Sequence, residues 1–170
     1  MSDATSRGYN DFQDHLAALD TSGLLTRIDA PIDKESELIP LVRWQFRGGI
    51  AEPDRKAFLF TKVRGGDGRE FDIPVAVGAL AGNAAIYSVG MGVPVGKIGD
   101  CWAHSIANPI APVTVSDPAC QEIVYEGSDL ISGSGLDALP VPVSTPGYDS
   151  APYLTATACI TRDPDTGIQN

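Results

Sequence analysis

The pattern of apolar residues changes at Asn108, and this change limits the possible folds more than any other feature of the chain. Before it, short β-rich runs alternate with segments in which apolar residues recur every three or four positions, which favours an α/β layer. After it, eight of the 13 prolines interrupt short apolar runs and the helical period disappears. We therefore expect a flexible arm at residues 1–8, an N-terminal α/β domain at 9–108, and the start of a mainly β domain, a barrel or a sandwich, at 109–170.

Several predicted elements in the first part have recognisable ends. Asn10 or Asp11 can cap a helix that begins near Phe12, and Gly23 suits its C-terminal end. A second helix is predicted to begin at Asp33, just after a proline. The remaining predicted elements are strands at residues 24–28, 58–63 and 74–80 and helices at residues 82–90 and 97–107.

The second part ends in a predicted hairpin. Residues 122–125 and 152–162 are rich in β-forming side chains and are predicted strands. Residues 163–167 (Asp-Pro-Asp-Thr-Gly) place proline and glycine as in a tight turn. A hairpin needs a returning strand, and only residues 168–170 follow. We therefore expect this sequence to be the front part of a longer, truncated protein, cut within a sheet.

Composition excludes some classes of function. Residues 1–70 carry 12 acidic and 10 basic residues, whereas residues 71–170 carry 10 acidic and 2 basic ones, which argues against a nucleic-acid surface. No apolar run approaches the roughly 20 residues that span a bilayer, and the N-terminus lacks a signal-peptide core. We expect no membrane partner and a cytoplasmic location.

Cysteines and histidines do not form a recognisable site. Cys101, Cys120 and Cys159 contain no Cys-x-x-Cys pair, which suits a reducing compartment and predicts neither a zinc site nor a disulfide framework. We expect His15 and His104 to be packing or surface residues rather than metal ligands. No catalytic triad is supported by local pattern.

Four segments of the chain, in order, resemble segments of one family. They are residues 12–33, residues 135–142 (Gly-Leu-Asp-Ala-Leu-Pro-Val-Pro), residues 153–155 (Tyr-Leu-Thr) and residues 160–170 (Ile-Thr-Arg-Asp-Pro-Asp-Thr-Gly-Ile-Gln-Asn). The second contains a Leu-Pro signature, and the last is similar to the family's Asp-Pro-Asp-Thr-Gly hairpin. The chain thus resembles an N-terminal portion of the UbiD family of prenylated-FMN-dependent decarboxylases.

This resemblance implies a fold and two site residues. It implies a small α/β domain followed by the first strands of a split β-barrel that binds prenylated FMN. Asn170 matches a ligand of Mn²⁺ that also contacts the cofactor, and Thr155 matches a residue that lines the cofactor. K⁺ is a further candidate ion. From the residues alone, Asn170 could instead satisfy backbone groups of the turn, and Thr155 could be an ordinary strand residue.

The resemblance also implies a reaction, a carboxy-lyase step. The family reversibly decarboxylates aromatic, heteroaromatic or α,β-unsaturated carboxylic acids, without net redox change, through a covalent adduct with prenylated FMN. A flavin prenyltransferase would supply the cofactor, and the whole protein would be a homo-oligomer. The catalytic Arg and Glu residues are expected beyond Asn170, so we expect this fragment alone to be inactive. Two alternatives remain: a non-catalytic assembly subunit of a multi-subunit carboxylase, and a redox flavoprotein of split-barrel type.

Overall fold

A computed structural model of the chain describes residues 9–157 and 159–169, without the side chain of Ser134. Its longer helices are α1 (Phe12–Thr21), α2 (Leu38–Arg47), α3 (Ala84–Met91) and α4 (Ile98–Ala107). Its strands are β1 (Leu25–Ile28), β2 (Ile32–Asp33), β3 (Ala57–Phe60), β4 (Val63–Arg64), β5 (Glu70–Phe71) and β6 (Val75–Val77). No helix in this part of the chain is both long and apolar enough to cross a bilayer. Residues 1–8, predicted to be a flexible arm, lie outside the described residues.

The strands form two small mixed sheets with the orders β1-β3-β6 and β2-β4-β5. In the first, β1 runs parallel to β3 and β6 runs antiparallel to it. In the second, β2 runs parallel to β4 and β5 antiparallel to it. The single strand predicted at residues 58–63 was wrong, because the chain passes from one sheet to the other at Thr61 and Lys62. The Thr61 amide still bonds to the Ile28 carbonyl of the first sheet, whereas the Lys62 carbonyl accepts from Ile32 of the second.

Two apolar cores lie on opposite faces of the first sheet, because alternate residues of β3 point to opposite sides. The first core joins the helices α1 and α3 to the first sheet, with Leu16, Leu19, Leu25, Leu59 and Ile86 among its buried members. The second joins α2, with Leu38 and Val42, to Ile32 and Val63 of the second sheet and to Phe60 of β3 in the first. Burial of one such side chain stabilises a fold by about 1.5–3 kcal/mol. The prediction that strands and helices alternate in this part is therefore confirmed, in the form of a mixed α and β arrangement.

Helix α1 begins and ends as its sequence predicts. The Asp11 carboxylate accepts a hydrogen bond of 3.0 Å from the amide of Asp14, which caps the helix. Just past its C-terminal end, Gly23 has a φ of +69°, a backbone conformation that disfavours side chains with a Cβ. Leu16 and Leu19 are buried, whereas Phe12 on the first turn is 46% exposed. Phe12 is therefore free to contribute to a surface cleft.

Helix α2 begins at Leu38, so the predicted start at Asp33 was wrong. Asp33 lies in strand β2, and its carboxylate accepts hydrogen bonds from the amides of Glu35 and Ser36 and from the Ser36 hydroxyl. Such a carboxylate turn competes with helical hydrogen bonding. Burial alone would raise the pKa of Asp33, but the hydrogen bonds from Ser36 and Glu35 outweigh it, and the pKa is lowered.

No strand forms in residues 109–157 and 159–169. The strands predicted at residues 122–125 and 152–162 were therefore wrong. A strand needs a continuous row of backbone hydrogen bonds to a neighbour, and among the described residues the only such bonds from these runs to another segment are a Tyr153–Pro142 bond and a single bridge at Arg162. Ile123 and Val124 are 69% and 61% exposed. The split barrel and the domain boundary at Asn108 remain predictions.

The predicted turn at residues 163–167 is confirmed. The Asp163 amide donates to the Ile168 carbonyl at 2.9 Å, and Arg162 and Gln169 form an isolated antiparallel bridge. Gly167 has a φ of +71°, which explains the glycine at this position. Hydrogen bonds from Thr166 and Asp165 lower the pKa of the Asp163 carboxyl.

Candidate functional site

An apolar cleft of about 540 Å³ is the candidate site. Its volume lies within the range of small-molecule sites. One wall is strand β6 with the loop that follows it, and the others come from the Leu-Pro segment and from the segment that contains Thr155. The lining residues are 73–82, 139–142 and 153–156, with Phe12, Ile39, Phe46 and Ser144. We refer to it as the Thr155 cleft.

Hydrogen bonds hold the residues directly after the Leu-Pro segment against the α/β part. The amide of Val143 donates to the Lys34 carbonyl at 3.1 Å. The Arg43 guanidinium on α2 donates to the Ser144 carbonyl at 2.6 Å and to the Thr145 hydroxyl at 3.2 Å. The two parts therefore meet directly after the motif that carries much of the family resemblance.

Thr155 lies on the cleft wall and is exposed to solvent. No hydrogen bond joins its hydroxyl to another residue in the described part of the chain. A free hydroxyl on an otherwise apolar wall can bind a polar edge of a ligand. The structure therefore places Thr155 where a cofactor contact is feasible, and its role there remains a prediction.

The cleft suits a flat ring better than it suits a phosphate or a metal. Its lining contains no Lys, Arg, Asp or Glu. In residues 9–157 and 159–169, no group of three His, Cys, Asp or Glu side chains is arranged to hold a metal ion. Asn170, the predicted metal and cofactor ligand, lies outside the described residues. The lining of the Thr155 cleft is thus compatible with an apolar ring and offers no charged side chain to a phosphate.

A second cleft, of about 890 Å³, lies on the other side of Leu139 and Tyr153 and contains charged residues. The Lys34 side chain is 9% exposed, and its ammonium bonds to the Glu35 carboxylate at 3.2 Å. The Arg69 guanidinium lies 4.9 Å from the centre of the Phe71 ring. Glu35, Asp67 and Asp137 also line this cleft, so its three acidic residues outnumber its two basic ones, which disfavours an anionic ligand.

The two histidines lie where packing and surface residues are expected. His15 is buried, with Nε2 2.7 Å from the Ala79 carbonyl, whereas His104 on α4 is exposed. The three cysteines are free thiols. The strand predicted at residues 74–80 was too long, because β6 ends at Val77 and residues 78–82 form a loop. Sequence reasoning missed this wall of the cleft, although Gly78 and Gly82 lie between a strand and a helix. It also missed the contact of His15, because no local pattern indicates a partner 64 residues away.

Comparison with known proteins gives two informative solved structures, and no family model matches the chain. The first is the UbiD-class enzyme HmfF from Pelotomaculum thermopropionicum in complex with FMN, with 30% identity and a TM-score of 0.68. The match covers 93% of this chain and 32% of that one. The second is an evolved dimeric form of the same enzyme in complex with prFMN, with 27% identity and a TM-score of 0.66. That match covers 95% of this chain and 34% of the other.

The chain therefore spans about a third of the length of these enzymes. Because it covers 93% and 95% of this chain, the match includes both the α/β part and most of the strand-free part. Both the sequence identity and the similarity of fold extend over nearly the whole chain. The resemblance to the UbiD family is confirmed by these matches, which support an N-terminal portion of a UbiD-class protein.

Proposed function

We propose that this chain is the N-terminal part of a reversible, non-oxidative decarboxylase that depends on prenylated FMN. The substrate would be an aromatic, heteroaromatic or α,β-unsaturated carboxylic acid. The observation that carries this proposal is the match to UbiD-class enzymes over 93% and 95% of the chain, in structures that contain FMN and prFMN. When bound, prenylated FMN supplies the electron sink that loss of CO₂ from an sp² carbon requires.

Two residues of this chain would contact the cofactor. The Thr155 hydroxyl would donate to or accept from a polar edge of the flavin, while the apolar walls of the Thr155 cleft exclude water from the ring. Asn170 would ligate Mn²⁺ through its amide oxygen, a hard ligand that suits this ion. K⁺ is a further candidate ion.

The catalytic Arg and Glu residues would lie outside this sequence. The described part of the chain offers no cation to hold a substrate carboxylate in the Thr155 cleft. We therefore expect the isolated 170-residue chain to be inactive and to bind Mn²⁺ and flavin weakly. The whole protein would be a cytoplasmic homo-oligomer that receives its cofactor from a flavin prenyltransferase.

The test uses the whole protein that contains this sequence, co-expressed with a flavin prenyltransferase. Flavin absorbance and CO₂ release from a panel of aryl and cinnamic acids are measured before and after metal removal with EDTA and readdition of Mn²⁺. Thr155→Val removes one hydroxyl and should weaken flavin retention by up to about tenfold, the effect of one hydrogen bond. Asn170→Ala should abolish the response to Mn²⁺. Thr157→Val is the matched control, because Thr157 lines the second cleft and not the Thr155 cleft.

The alternatives give different results in the same assay. A purified protein without flavin, metal or CO₂ release would favour the non-catalytic assembly subunit. A bound flavin whose spectrum and reduction are unaffected by EDTA would favour the redox flavoprotein. Either result would overturn the decarboxylase proposal.

A further inference from the structure

His15 makes a long-range hydrogen bond from the interior of the α/β part. Its side chain lies on α1 and is buried, and its Nε2 is 2.7 Å from the carbonyl oxygen of Ala79. A carbonyl oxygen only accepts hydrogen bonds, so Nε2 must carry the proton. Nδ1 is also buried, and no described residue pairs with it. Nε2 therefore makes the one polar contact that orients this ring within the described chain.

The Ala79 carbonyl belongs to the loop that forms a wall of the Thr155 cleft. Ala79 is itself buried, while the next residue, Leu80, is 57% exposed. The loop is closed by a hydrogen bond of 2.9 Å from the Gly82 amide to the Gly78 carbonyl. The hydrogen bond from His15 thus restrains the inner face of a wall whose outer face is open to a ligand.

The imidazole is held tightly by its neighbours. The Tyr9 ring meets it edge-on with centroids 5.2 Å apart, and the Phe12 ring lies 6.0 Å away. A Cβ placed on Gly90 of α3 would lie 3.3 Å from Cε1 of the imidazole, closer than ordinary contact. Helix α1 therefore supplies both Phe12, which lines the cleft, and His15, which supports the wall.

We propose that His15 is a positioning residue for the Thr155 cleft. Its Nε2–H fixes the Ala79 carbonyl, and so fixes the backbone of residues 78–82 against which a flat ligand packs. The inference rests on the proposed function, because the flavin ring is the ligand assigned to this cleft. His15 does not contact the ligand itself.

The experiment compares three variants of the whole protein. His15→Leu removes the donor, His15→Gln retains an amide N–H that can reach the same carbonyl, and His104→Leu changes the exposed histidine as a matched control. Amide hydrogen exchange of residues 78–82 measures how often the loop opens, and exchange in strand β3 is the internal reference. The affinity of the cleft for FMN is measured by titration, from the quenching of FMN fluorescence. The temperature is one at which every variant is folded.

We expect His15→Leu to raise exchange of residues 78–82 at least tenfold, with β3 unchanged, and to weaken FMN binding several-fold. His15→Gln should restore both measurements toward the wild type, and His104→Leu should change neither. Unchanged exchange in residues 78–82 of a folded His15→Leu would overturn the proposal. So would wild-type affinity for FMN in a variant whose loop exchanges faster.

A second variant covers the case in which His15→Leu does not fold. Gly90→Ala favours helix α3 by propensity and pushes a methyl group toward the imidazole ring, so it disturbs His15 without emptying its site. Faster exchange confined to residues 78–82 is expected, and its absence would contradict the role of His15. If the wild type binds no FMN, the proposed function fails, while loop exchange still decides whether His15 positions the wall.

Discussion

Residues 9–108 and residues 109–169 share similar apolar side chains but use them differently. Every buried Leu, Ile, Val and Phe of the two cores belongs to the first region. In the described part of the second, the large apolar side chains are exposed or half-buried: Ile110 is 92% exposed and Ile131 is 90% exposed. Apolar content alone therefore does not make a core, because a strand or helix must first find a partner that covers it.

The largest expected effect is a contrast between two leucines. Leu19 is fully buried in the first core, whereas Leu136 is 75% exposed. Leu19→Ala should lower the free energy of unfolding by about 2–5 kcal/mol, and Leu136→Ala should change it by less than about 0.5 kcal/mol. Urea denaturation followed by circular dichroism measures both. Similar losses for the two variants would show that Leu136 is packed in solution and would remove the contrast.

The contact between the two regions can be broken at Arg43. Arg43→Met keeps the stem of the side chain and removes the hydrogen bonds to Ser144 and Thr145. Loss of hydrogen bonds from a charged donor should cost about 1.5–3 kcal/mol of local stability. Faster amide exchange of Val143, with unchanged exchange in β3, is the expected result. Arg47→Met, one turn later on the exposed face, is the control, and equal effects of the two would refute a specific contact.

A smaller effect is expected at the start of α3. The Asn83 side chain accepts from the Ile86 amide at 2.7 Å and donates to the Arg55 carbonyl at 2.6 Å. Asn83→Ala should therefore lower the free energy of unfolding by about 1–2 kcal/mol. Asn83→Asp keeps the acceptor and should recover part of the loss. Thermal unfolding measures both, and no change in the alanine variant would mean that the cap is not needed.

The smallest expected effect is on the stability of the fold at acidic pH. The pKa of Asp33 is lowered in the folded chain, so its ionised form stabilises the fold above the unfolded pKa, which is near 3.8. That contribution is lost as pH falls through the folded pKa, below this value. Asp33→Asn should flatten the decline in stability below about pH 4. Parallel acid-unfolding curves for the two proteins would contradict this assignment. Asp163, the corresponding carboxylate of the second region, is fully exposed and serves as a comparison.

Local signals in the sequence predicted the elements whose hydrogen bonds are local. Helix α1 could be predicted because its cap at Asp11, its apolar face and its end at Gly23 all lie within a few residues of one another. The turn at residues 163–167 could be predicted for the same reason. The helix predicted at Asp33 failed because a side-chain turn competes with the helix there, and propensity does not show which one wins.

Pairing and long-range contacts could not be predicted in this way. Residues 122–125 have the composition of a strand, but no residue in the described chain pairs with them. The change of sheet at Thr61 depends on two partners, β1 and β2, that are distant in sequence. Thr155 was found only through family resemblance, and the loop at residues 78–82 was not found. A cleft wall depends on which segments meet, and periodicity carries no such information.

The change of sheet at Thr61 and Lys62 has a consequence for how the α/β part opens. Only these two residues separate β3 from β4, so the central strand of one sheet is directly continuous with the central strand of the other. A fluctuation that frees β3 must also pull on β4, and the two cores cannot open independently. We expect native-state hydrogen exchange to report one cooperative unit that includes Leu59 and Val63, although their side chains lie in separate cores.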